Sequence, residues 1–525
     1  MIITKANQLK IVLSQIPEEI AFDTESENGL DYLAMKLVGW SFFGGRESYY
    51  VNCFENKEYP ELISIWYKWI LENKPTLIMS NAAYDMNCLY KYFGISEGFN
   101  PICTVTAEKL IDDTEHHFGL KEVVRRRLNR NCVEFNDAVK YGFNSQQFVQ
   151  YAQDDAVNTW DLWQLQKKDL KEQNLEYLFN TVEMPFQFVI AEMERTGVLI
   201  DQVGREQLAA EVSKRLYDIE EQMLQIFGKT HKIQKGLYDD EEYVKSPINF
   251  GSNPTLVKLI ESLGFEIKEK TAKGEKSVGK ETLLALRSEH KFIKLLWLFK
   301  KLKKLQSTYV AALRNTDTDG RIRASYNLVR SGRITCSPFQ QMPNMKKEEN
   351  KEIGINFRKV LVPKKGYKFF CADFSGQELR VGAHICNCKA LIRAFNEDKD
   401  PHLMTANNVF NLKLTDRQLT IGTDEYKKAV KKYESERDIG KNGLNFPIMY
   451  GTTPGGIAKR KGVSYQKAYQ WIEDFFKTYP EIKTSIDKTK EELYNYGYVV
   501  DMMGRRRRYP DYKKICDKIK ELKND

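Results

Sequence analysis

Residues 20–26 read IAFDTES, an apolar run that ends in two carboxylates, Asp23 and Glu25. If the run forms a strand, its period of two places both carboxylates on the same face of the sheet. Further elements predicted nearby are strands over 37–43 and 75–80 and a long helix over 144–168. This alternation of strands and helices across residues 1–165 predicts an α/β domain.

Two later stretches add acidic residues in matching contexts. NAAYD ends at Asp85, just after a predicted strand, and YAQDD ends at Asp155. Tyr151 lies four residues before Asp155, so a helix presents both side chains on one side. Taken singly, Asp-x-Glu is a solvated strand end far more often than a metal site, and Tyr-x-x-x-Asp is equally unspecific. Carboxylates from separate elements can nevertheless hold two Mg²⁺ or Mn²⁺ ions, which activate a water and stabilise the leaving oxygen of a phosphodiester.

The composition bounds the class of protein. At about 150 residues per domain, the 525 residues suggest about three or four domains. Lys plus Arg exceed Asp plus Glu by 81 to 72, a mild excess that is compatible with a polyanionic partner. No apolar run approaches the roughly 18 to 20 residues needed to cross a bilayer, and the N-terminus lacks a signal-peptide core. The nine cysteines contain no C-x-x-C pair, so we expect no structural zinc and no disulfides, and a cytoplasmic protein without membrane contact.

A second group of residues lies in the C-terminal half of the chain. Residues 369–380 read FFCADFSGQELR, where an apolar strand is predicted to lead into Asp373, although an Asp here is also a good helix N-cap. Residues 437–453 read RDIGKNGLNFPIMYGTT. The pairs with four-residue spacing in this stretch are Arg437 with Lys441 and Phe446 with Tyr450. Cations that reach a triphosphate, beside an aromatic that flanks the incoming base, are one interpretation; a solvated face over an apolar core is the other.

The rest of the chain is predicted to be mainly helical. Residues 183–315 and 400–495 are predicted helical, with polar loops near 229–254 and 270–280, whereas 355–385 reads as strand, turn, strand and helix. Within 291–309, KFIKLLWLFKKLKKLQSTY, apolar residues recur at helical spacing and lysines line the other side. The lysines indicate a face for a nucleic-acid backbone, with a solvated face or a membrane-surface helix as alternatives. The run Arg505–Arg508 is interpreted as a second basic cluster that faces a nucleic-acid backbone.

The acidic residues and the tyrosine described above form a first group: Asp23, Glu25, Asp85, Tyr151 and Asp155. In their order along the chain and their local sequence context, they resemble the three motifs of the DEDD proofreading exonucleases, in the variant with a tyrosine. The resemblance covers about residues 15–170. The resemblance implies a ribonuclease H-like fold, two divalent ions (Mg²⁺ or Mn²⁺) and 3′–5′ hydrolysis of DNA. Asn81 also fits the second motif. Tyr151 is implied to orient the attacking water, and the implied metal ligands are Asp23, Glu25, Asp85 and Asp155.

The second group is similar to family A DNA polymerases, the bacterial DNA polymerase I type, from about residue 183 to 510. Further matching segments are MERTGVLID (193–201), SGRITCSPFQQMP (331–343), Asp400-Pro401-His402 and GYVVDMMGRRRRYPD (497–511). The resemblance implies binding of primer-template DNA and deoxynucleotides, with Asp373 as a catalytic metal ligand. Glu378 is implied to exclude the 2′-hydroxyl, and Arg333 to lie near the primer terminus. The other implied substrate contacts are His402, Arg437, Lys441, Phe446, Tyr450 and Arg505.

The resemblance also implies the domain organisation. The expected fold is α/β, with a ribonuclease H-like exonuclease domain followed by the thumb, fingers and an incomplete palm of a right-hand polymerase. The expected bounds are 1–172 for the exonuclease domain and 173–525 for the polymerase domain. Within the latter we expect a thumb over about 202–312, a palm over about 313–395 and 491–525, and fingers over about 396–490.

Two features depart from the family pattern. The family places lysine four residues before the aromatic, whereas Lys441 and Phe446 are five apart, which rotates the cations by about 100° on a regular α-helix. A π-bulge would restore the register, and Gly440 and Gly443 would ease it. The last palm motif, His-Asp-Glu, is also missing, because no histidine follows His402.

The missing motif leads us to expect a split polymerase, whose second polypeptide supplies the remaining palm carboxylate and covers an open strand edge. On this hypothesis the chain is the N-terminal portion of a phage-like family A DNA polymerase with proofreading activity, working in the cytoplasm of a bacterial host. A truncated chain would explain the missing motif equally well. Two functional alternatives remain: a stand-alone 3′–5′ exonuclease whose polymerase part only binds DNA, and a non-enzymatic DNA-binding subunit. The intact carboxylate set argues against the last.

Overall fold

The structure is a computed structural model that describes residues 1–29, 31–235, 242–271, 273–340, 342–343 and 351–524. The chain forms two compact units. The first unit consists of Met1–Glu108, His117–Asp169 and Phe179–Phe369. The second consists of Lys109–His116, Leu170–Leu178 and Phe370–Asp525.

A six-stranded mixed sheet forms the N-terminal part of the first unit. Its strands are β1 (Ile2–Ile3), β2 (Glu19–Glu27), β3 (Lys36–Phe43), β4 (Ser48–Asn52), β5 (Thr76–Met79) and β6 (Asn100–Cys103). They lie in the order β1-β4-β3-β2-β5-β6. β2 is central, because it pairs antiparallel with β3 and parallel with β5. The strands predicted over 37–43 and 75–80 are thereby confirmed.

Helices accompany this sheet and hold its strands in place. Their bounds are Ala6–Leu13, Tyr59–Asn73, Ala82–Cys88, Thr104–Ile111, Leu120–Leu128, Phe135–Val139, Gln146–Glu172 and Met184–Thr196, with π-turns at Leu89–Phe93 and Phe179–Glu183. Trp66 packs against Phe22, Trp40 and Phe42, with ring centroids 5.1–5.6 Å apart. Each such buried side chain stabilises the fold by roughly 1.5–3 kcal/mol, so the aromatic cluster fixes β2 against its neighbours. The helix predicted over 144–168 is confirmed.

The remainder of the first unit is mainly helical. Its helices are Gln202–Ile226, Asn253–Ser262, Lys280–Leu286, Lys291–Leu305 and Ala311–Arg314, with a π-turn at Gln306–Val310. Short antiparallel pairs join Val198–Leu199 to Arg321–Ile322, Ser325–Leu328 to Ile334–Ser337, and Lys232–Lys235 to Glu242–Lys245. The last pair corrects the predicted polar loop near 229–254, of which residues 236–241 lie outside the described chain.

The predicted amphipathic helix over 291–309 is confirmed between Lys291 and Leu305. Its predicted apolar face is buried throughout: Phe292, Leu295, Leu296, Phe299, Leu302 and Leu305. Lys300 does not belong to the predicted lysine face, because its Nζ donates to the carbonyl of Val278 at 2.7 Å. Lys301 lies over the Trp297 ring, 4.0 Å from its centre.

The second unit is helical around an aromatic core. Its helices are Gln377–Ile385, Lys389–Asn396, Pro401–Val409, Asp416–Leu419, Asp424–Lys432, Glu434–Asp438, Phe446–Met449, Pro454–Lys461, Tyr465–Thr478, Pro480–Tyr496 and Tyr512–Asn524, with a π-helix at Ile439–Asn445. Tyr498–Val500 and Arg506–Arg508 form an antiparallel hairpin. Trp471, Phe475 and Tyr479 pack with Leu379 and Leu444 in the core. The helices predicted over 400–495 are confirmed, and none of the described helices is long and apolar enough to span a bilayer.

The strand, turn and strand predicted from residue 355 onward are wrong. Residues Phe357–Val360 form a 3₁₀ turn, and 362–376 contain no strand. Phe369, Phe370 and Phe374 are 57%, 92% and 76% exposed. A strand is stable only when a neighbour satisfies its backbone groups. Beyond Val362, whose N–H donates to Leu199 at 3.1 Å, no described strand pairs with this segment. Only the final helix of the prediction, Gln377–Ile385, forms.

Candidate functional site

Three carboxylates converge at strand β2. One oxygen each of Asp23, Glu25 and Asp155 lie within 4.8 Å of one another. β2 carries the first two with the two-residue spacing expected of one face, and helix Gln146–Glu172 carries Asp155. Glu25 and Asp155 are buried, and Asp23 is half-buried. Such a set of carboxylate oxygens is the kind of donor set that Mg²⁺ and Mn²⁺ prefer.

Asp85 lies behind this set and supports it. Its Oδ1 accepts hydrogen bonds from the backbone N–H of Thr24 at 2.9 Å and from the Thr24 hydroxyl at 2.7 Å. Thr24 stands between the two β2 carboxylates, so Asp85 fixes the backbone that carries both. Burial raises the pKa of Asp85 to about 7, although the Thr24 bonds oppose that rise. Asn81 is the N-cap residue of the helix Ala82–Cys88, which carries Asp85.

The electrostatics of the cluster fit a bound cation. Burial, followed by repulsion between the carboxylates, raises the pKa of Asp23 and of Glu25 well above the ordinary range. Burial also raises the pKa of Asp155, against the attraction of the Lys121 ammonium. Among the described residues no hydrogen-bond donor reaches the buried Oε1 of Glu25. A buried charged oxygen without a partner is costly, so the residues present suit a divalent ion at this position.

Tyr151 lies one helical turn before Asp155, as predicted, so its hydroxyl and the Asp155 carboxylate are on the same side of helix Gln146–Glu172 and line one cavity. Burial raises the pKa of Tyr151, so this hydroxyl keeps its proton at neutral pH. A cavity of about 390 Å³ opens beside the pair and is also lined by Arg130, Cys132 and Asn158. The space next to the carboxylates is therefore of the size that small-ligand sites have.

Lys121 is a site residue that the sequence motifs did not indicate. Its Nζ contacts Oδ1 of Asp155 and lies 4.4 Å from the centre of the Tyr151 ring. A lysine in the first turn of the short helix Leu120–Leu128 gives no signal of such a role, since that pattern is common on solvated helices. Only the packing of this helix near Asp155 reveals it.

In the second unit, Asp400 joins two of the predicted substrate-binding residues. It is the N-cap of helix Pro401–Val409, where its Oδ1 accepts from the backbone N–H of His402 at 2.8 Å. Its Oδ2 accepts from Arg437 Nε at 2.6 Å and from the Tyr426 hydroxyl at 2.9 Å. Burial alone would raise the pKa of Asp400, but these partners outweigh it and the pKa lies below its usual value. An Asp before Pro is a typical N-cap signal, so this role was accessible from the sequence.

His402 is a neutral donor in this cluster. Its pKa is lowered to about 4, mainly by burial; the Asp400 charge opposes this shift, and the charges of Arg437 and Lys441 contribute to it. The side-chain amide of Asn445 donates to Nδ1 of the ring at 3.0 Å. Because a neutral imidazole that accepts at Nδ1 carries its proton on Nε2, His402 offers one N–H to a ligand. The ring also contacts Phe446, with centroids 5.5 Å apart.

The π-helix at Ile439–Asn445 is the kind of bulge that would restore the register between Lys441 and Phe446. Its i→i+5 pattern accommodates one extra residue, so Lys441 and Phe446 both act on His402, one through its charge and one through its ring. Gly440 permits the close approach of this helix to helix Pro401–Val409. A Cβ at Gly440 would lie 2.4 Å from the carbonyl oxygen of His402.

The other predicted polymerase-site residues are carried by further elements of the two units. Asp373 is exposed, in the segment without a strand, and belongs to no acidic cluster of the described chain. Glu378 lies in the first turn of helix Gln377–Ile385, and Tyr450 is 63% exposed at the end of helix Phe446–Met449. Arg333 lies in the turn of the hairpin before Ile334, and Arg505 closes a turn in which its backbone N–H donates to Asp501 at 2.9 Å.

The interpretation of Arg505–Arg508 as a DNA-facing cluster is wrong for its last two residues. Arg507 and Arg508 both pair with the buried carboxylate of Asp113, Arg508 at 3.1 Å. The backbone N–H of Arg508 donates to the same group at 3.2 Å, and its second terminal nitrogen contacts Gln173. A buried carboxylate needs compensating charge, so these guanidiniums are engaged inside the unit.

Comparisons with known proteins match both parts of the chain. The family described as DNA polymerase family A matches residues 206–524, and the family described as 3′–5′ exonuclease matches residues 1–171. DNA polymerase I of Borreliella burgdorferi is 29% identical over 510 residues, which cover 93% of this chain and 51% of that protein. DNA polymerase I of Pseudomonas aeruginosa is 27% identical over 526 residues, which cover 94% of this chain and 53% of that protein. The chain therefore spans about half the length of these relatives.

The fold is similar to a solved structure described as the POL domain of Pol1 from M. smegmatis in complex with DNA primer-template and dNTP. The TM-score is 0.76 at 21% sequence identity, and the match covers 97% of this chain and 82% of that one. Together with the family matches, this similarity confirms the predicted α/β fold class, with an exonuclease domain followed by a polymerase domain.

Proposed function

Because the chain belongs to DNA polymerase family A and carries a 3′–5′ exonuclease domain, we propose that it takes part in template-directed DNA synthesis and removes nucleotides from the 3′ end of DNA. The observation that carries the exonuclease half is the convergence of Asp23, Glu25 and Asp155 within 4.8 Å. When bound by these carboxylates, a pair of Mg²⁺ or Mn²⁺ ions supplies the charge that activates a water and stabilises the leaving 3′-oxygen.

The neighbouring residues prepare this site for the reaction. Asp85 holds the backbone between Asp23 and Glu25 through its two bonds to Thr24, so the carboxylates keep their positions before substrate arrives. Tyr151 lines the same cavity as Asp155, and its hydroxyl orients the attacking water there. The buried ring of Tyr151 also limits how much bulk water reaches the carboxylates.

The test compares two adjacent acidic residues on one helix. Asp155→Asn removes a buried member of the cluster, whereas Asp154→Asn removes an exposed carboxylate that accepts from Gln150 at 2.8 Å. With Mg²⁺ and 3′-labelled single-stranded DNA, we expect Asp155→Asn to lose at least about 10²-fold in rate and Asp154→Asn to retain the wild-type rate. Equal rates in all three proteins would show that the nuclease site is elsewhere or absent.

For synthesis, we propose that the cluster around Asp400 binds the triphosphate of the incoming nucleotide. Arg437 and Lys441 supply permanent positive charge, and the neutral His402 donates from Nε2. Phe446 packs beside the sugar. The proposed contacts that complete the polymerase site are Asp373 for a metal ion, Glu378 for the 2′ position, Tyr450 for the template base, and Arg333 and Arg505 for the primer-template.

We further propose that a second polypeptide, which carries the remaining palm and a His-Asp-Glu motif, completes the polymerase site. In support, Asp373 lies in an unpaired segment whose neighbours Phe369, Phe370 and Phe374 are largely exposed. A strand contributed by another chain would satisfy the backbone groups of this segment and cover its apolar side chains. The same exposure favours the second candidate function, an exonuclease whose polymerase part binds DNA without extending it.

Primer extension separates these possibilities. The protein carries Asp23→Ala and Glu25→Ala to prevent degradation, and it is assayed with and without the candidate partner chain. Extension only with the partner supports the completed site, and extension by the chain alone contradicts the need for a partner. Primer-template binding without extension in either case supports the exonuclease alternative.

A further inference from the structure

Lys121 places a positive charge inside the carboxylate cluster. Its side chain is only 13% exposed, and its Nζ contacts Asp155. Its charge also acts on Asp23 and Glu25. Lysine is rarely buried unless its charge is paired, because burial removes both its hydration and its rotamer freedom. A lysine that is mostly shielded from solvent and contacts a candidate metal ligand therefore requires an explanation.

Lys121 lines the cavity that Asp155 also lines. It sits 4.4 Å from the centre of the Tyr151 ring, and both residues line the cavity of about 390 Å³. Arg130 lines the same cavity, but its guanidinium is held by Asn158 at 3.1 Å and by Asp161 at 2.6 Å. Of these two cations, Lys121 is therefore the one that is paired with a carboxylate of the cluster.

The charges of the site balance only when Lys121 is counted. The charges of four carboxylates (Asp23, Glu25, Asp85 and Asp155) are cancelled by two divalent ions. A bound phosphodiester then adds one negative charge, which the ammonium of Lys121 neutralises. Without metal ions, the same ammonium is the counter-ion of Asp155.

We propose that Lys121 is a phosphate-positioning residue of the exonuclease reaction. It neutralises Asp155 in the metal-free protein and donates instead to a non-bridging oxygen of the scissile phosphodiester once divalent ions occupy the carboxylates. This inference rests on the proposed exonuclease function. It deepens that function by naming a residue that contacts the substrate and competes with the metal for one ligand.

The two roles of Lys121 have opposite consequences for a variant that lacks the charge. Lys121→Met keeps the length of the side chain but removes its ammonium, so Mn²⁺ no longer displaces a cation from Asp155. We expect Mn²⁺ to bind about tenfold more tightly in the absence of DNA. The single-turnover rate of hydrolysis should fall by about 10²-fold, because the phosphate loses a charged donor.

The experiment measures Mn²⁺ binding by electron paramagnetic resonance without DNA, and single-turnover hydrolysis of single-stranded DNA with excess protein. Lys121→Arg is the conservative variant and should restore most of the rate, since a guanidinium also binds phosphate. Lys167→Met is the matched control. Lys167 likewise pairs with a carboxylate, Glu19 at 2.5 Å, and lies 5.5 Å from the Trp163 ring centre. This control should change neither measurement.

A merely structural role predicts a different pattern. If Lys121→Met binds Mn²⁺ more weakly or with unchanged affinity, the lysine does not compete for Asp155 and the proposal is overturned. An unchanged hydrolysis rate in Lys121→Met overturns it as well. Hydrolysis by the wild type tests the exonuclease function separately. If the wild type is inactive but Lys121→Met still binds Mn²⁺ more tightly, the exonuclease function is contradicted, whereas the competition between Lys121 and the metal for Asp155 is supported.

Discussion

Gly440→Ala is the sharpest test of how the π-helix Ile439–Asn445 meets helix Pro401–Val409. The added Cβ would lie 2.4 Å from the carbonyl oxygen of His402, whereas ordinary contacts begin at 3.4 Å, so the backbones must separate by about 1 Å. Overpacking of this kind typically costs about 1–3 kcal/mol, and the Gly→Ala change itself returns about 0.5–1 kcal/mol. We therefore expect a net local destabilisation of about 1–2 kcal/mol, which is a factor of about 5–30 in the opening equilibrium.

Hydrogen–deuterium exchange in peptides covering 401–410 and 439–449 measures this effect. Amides there should exchange about 5–30-fold faster, and dNTP affinity should fall, because Arg437 and Lys441 shift relative to His402. Gly443→Ala is the control: its Cβ meets only Ile439 at 3.1 Å and Lys461 at 3.4 Å, side chains that can turn away. Equal exchange and equal affinity in the two variants would refute the close approach at Gly440.

Three further predictions concern the two sites and the hairpin. The affinity of the carboxylate cluster for Mn²⁺ should rise with pH through about 7, because Asp85, whose pKa burial raises to about 7, and its neighbours Asp23 and Glu25, whose pKa values are also raised, release protons as ions bind; calorimetry should find fewer protons released in Asp85→Asn, and an unchanged number would contradict the contribution of Asp85. Asp113→Ala should accelerate amide exchange in residues 498–508, since two guanidiniums lose a buried partner at a cost of up to about 3 kcal/mol, and unchanged exchange would contradict that contribution. If synthesis is reconstituted, Phe446→Tyr should increase chain termination by dideoxynucleotides, because the added hydroxyl can replace the missing 3′-hydroxyl; an unchanged termination pattern on a gel would mean that Phe446 does not face the sugar.

The cluster of Asp23, Glu25 and Asp155 was largely predictable because its signals are local. The two-residue spacing of Asp23 and Glu25 and the four-residue spacing of Tyr151 and Asp155 each follow from the period of one element. Lys121 was not predictable, because nothing in its helix indicates which residue it meets. That contact depends on how two helices pack, which the spacing of residues along one helix does not encode.

The second unit gives the same contrast. The five-residue spacing of Lys441 and Phe446 predicted the π-helix, since the rotation per residue is fixed by helix geometry. The arginine run was misread because a series of like charges does not identify its counter-ion. The partner of Arg507 is Asp113, 394 residues earlier in the chain. The local sequence around the arginines therefore does not indicate a buried acidic partner that is so far away along the chain.

The segments IAFDTES (20–26) and FFCADFS (369–375) differ in whether neighbouring strands order their aspartates. Both are apolar runs that lead into an aspartate, so each reads as a strand by itself. The first becomes β2, which gains backbone partners on both edges from β3 and β5 and holds Asp23 at a fixed point. The second pairs with no described strand, and Asp373 stays exposed. The position of a candidate metal ligand thus depends less on its own segment than on the neighbouring strands that order it. A strand that pairs with residues 368–374 would therefore be needed to turn Asp373 from a surface carboxylate into a ligand.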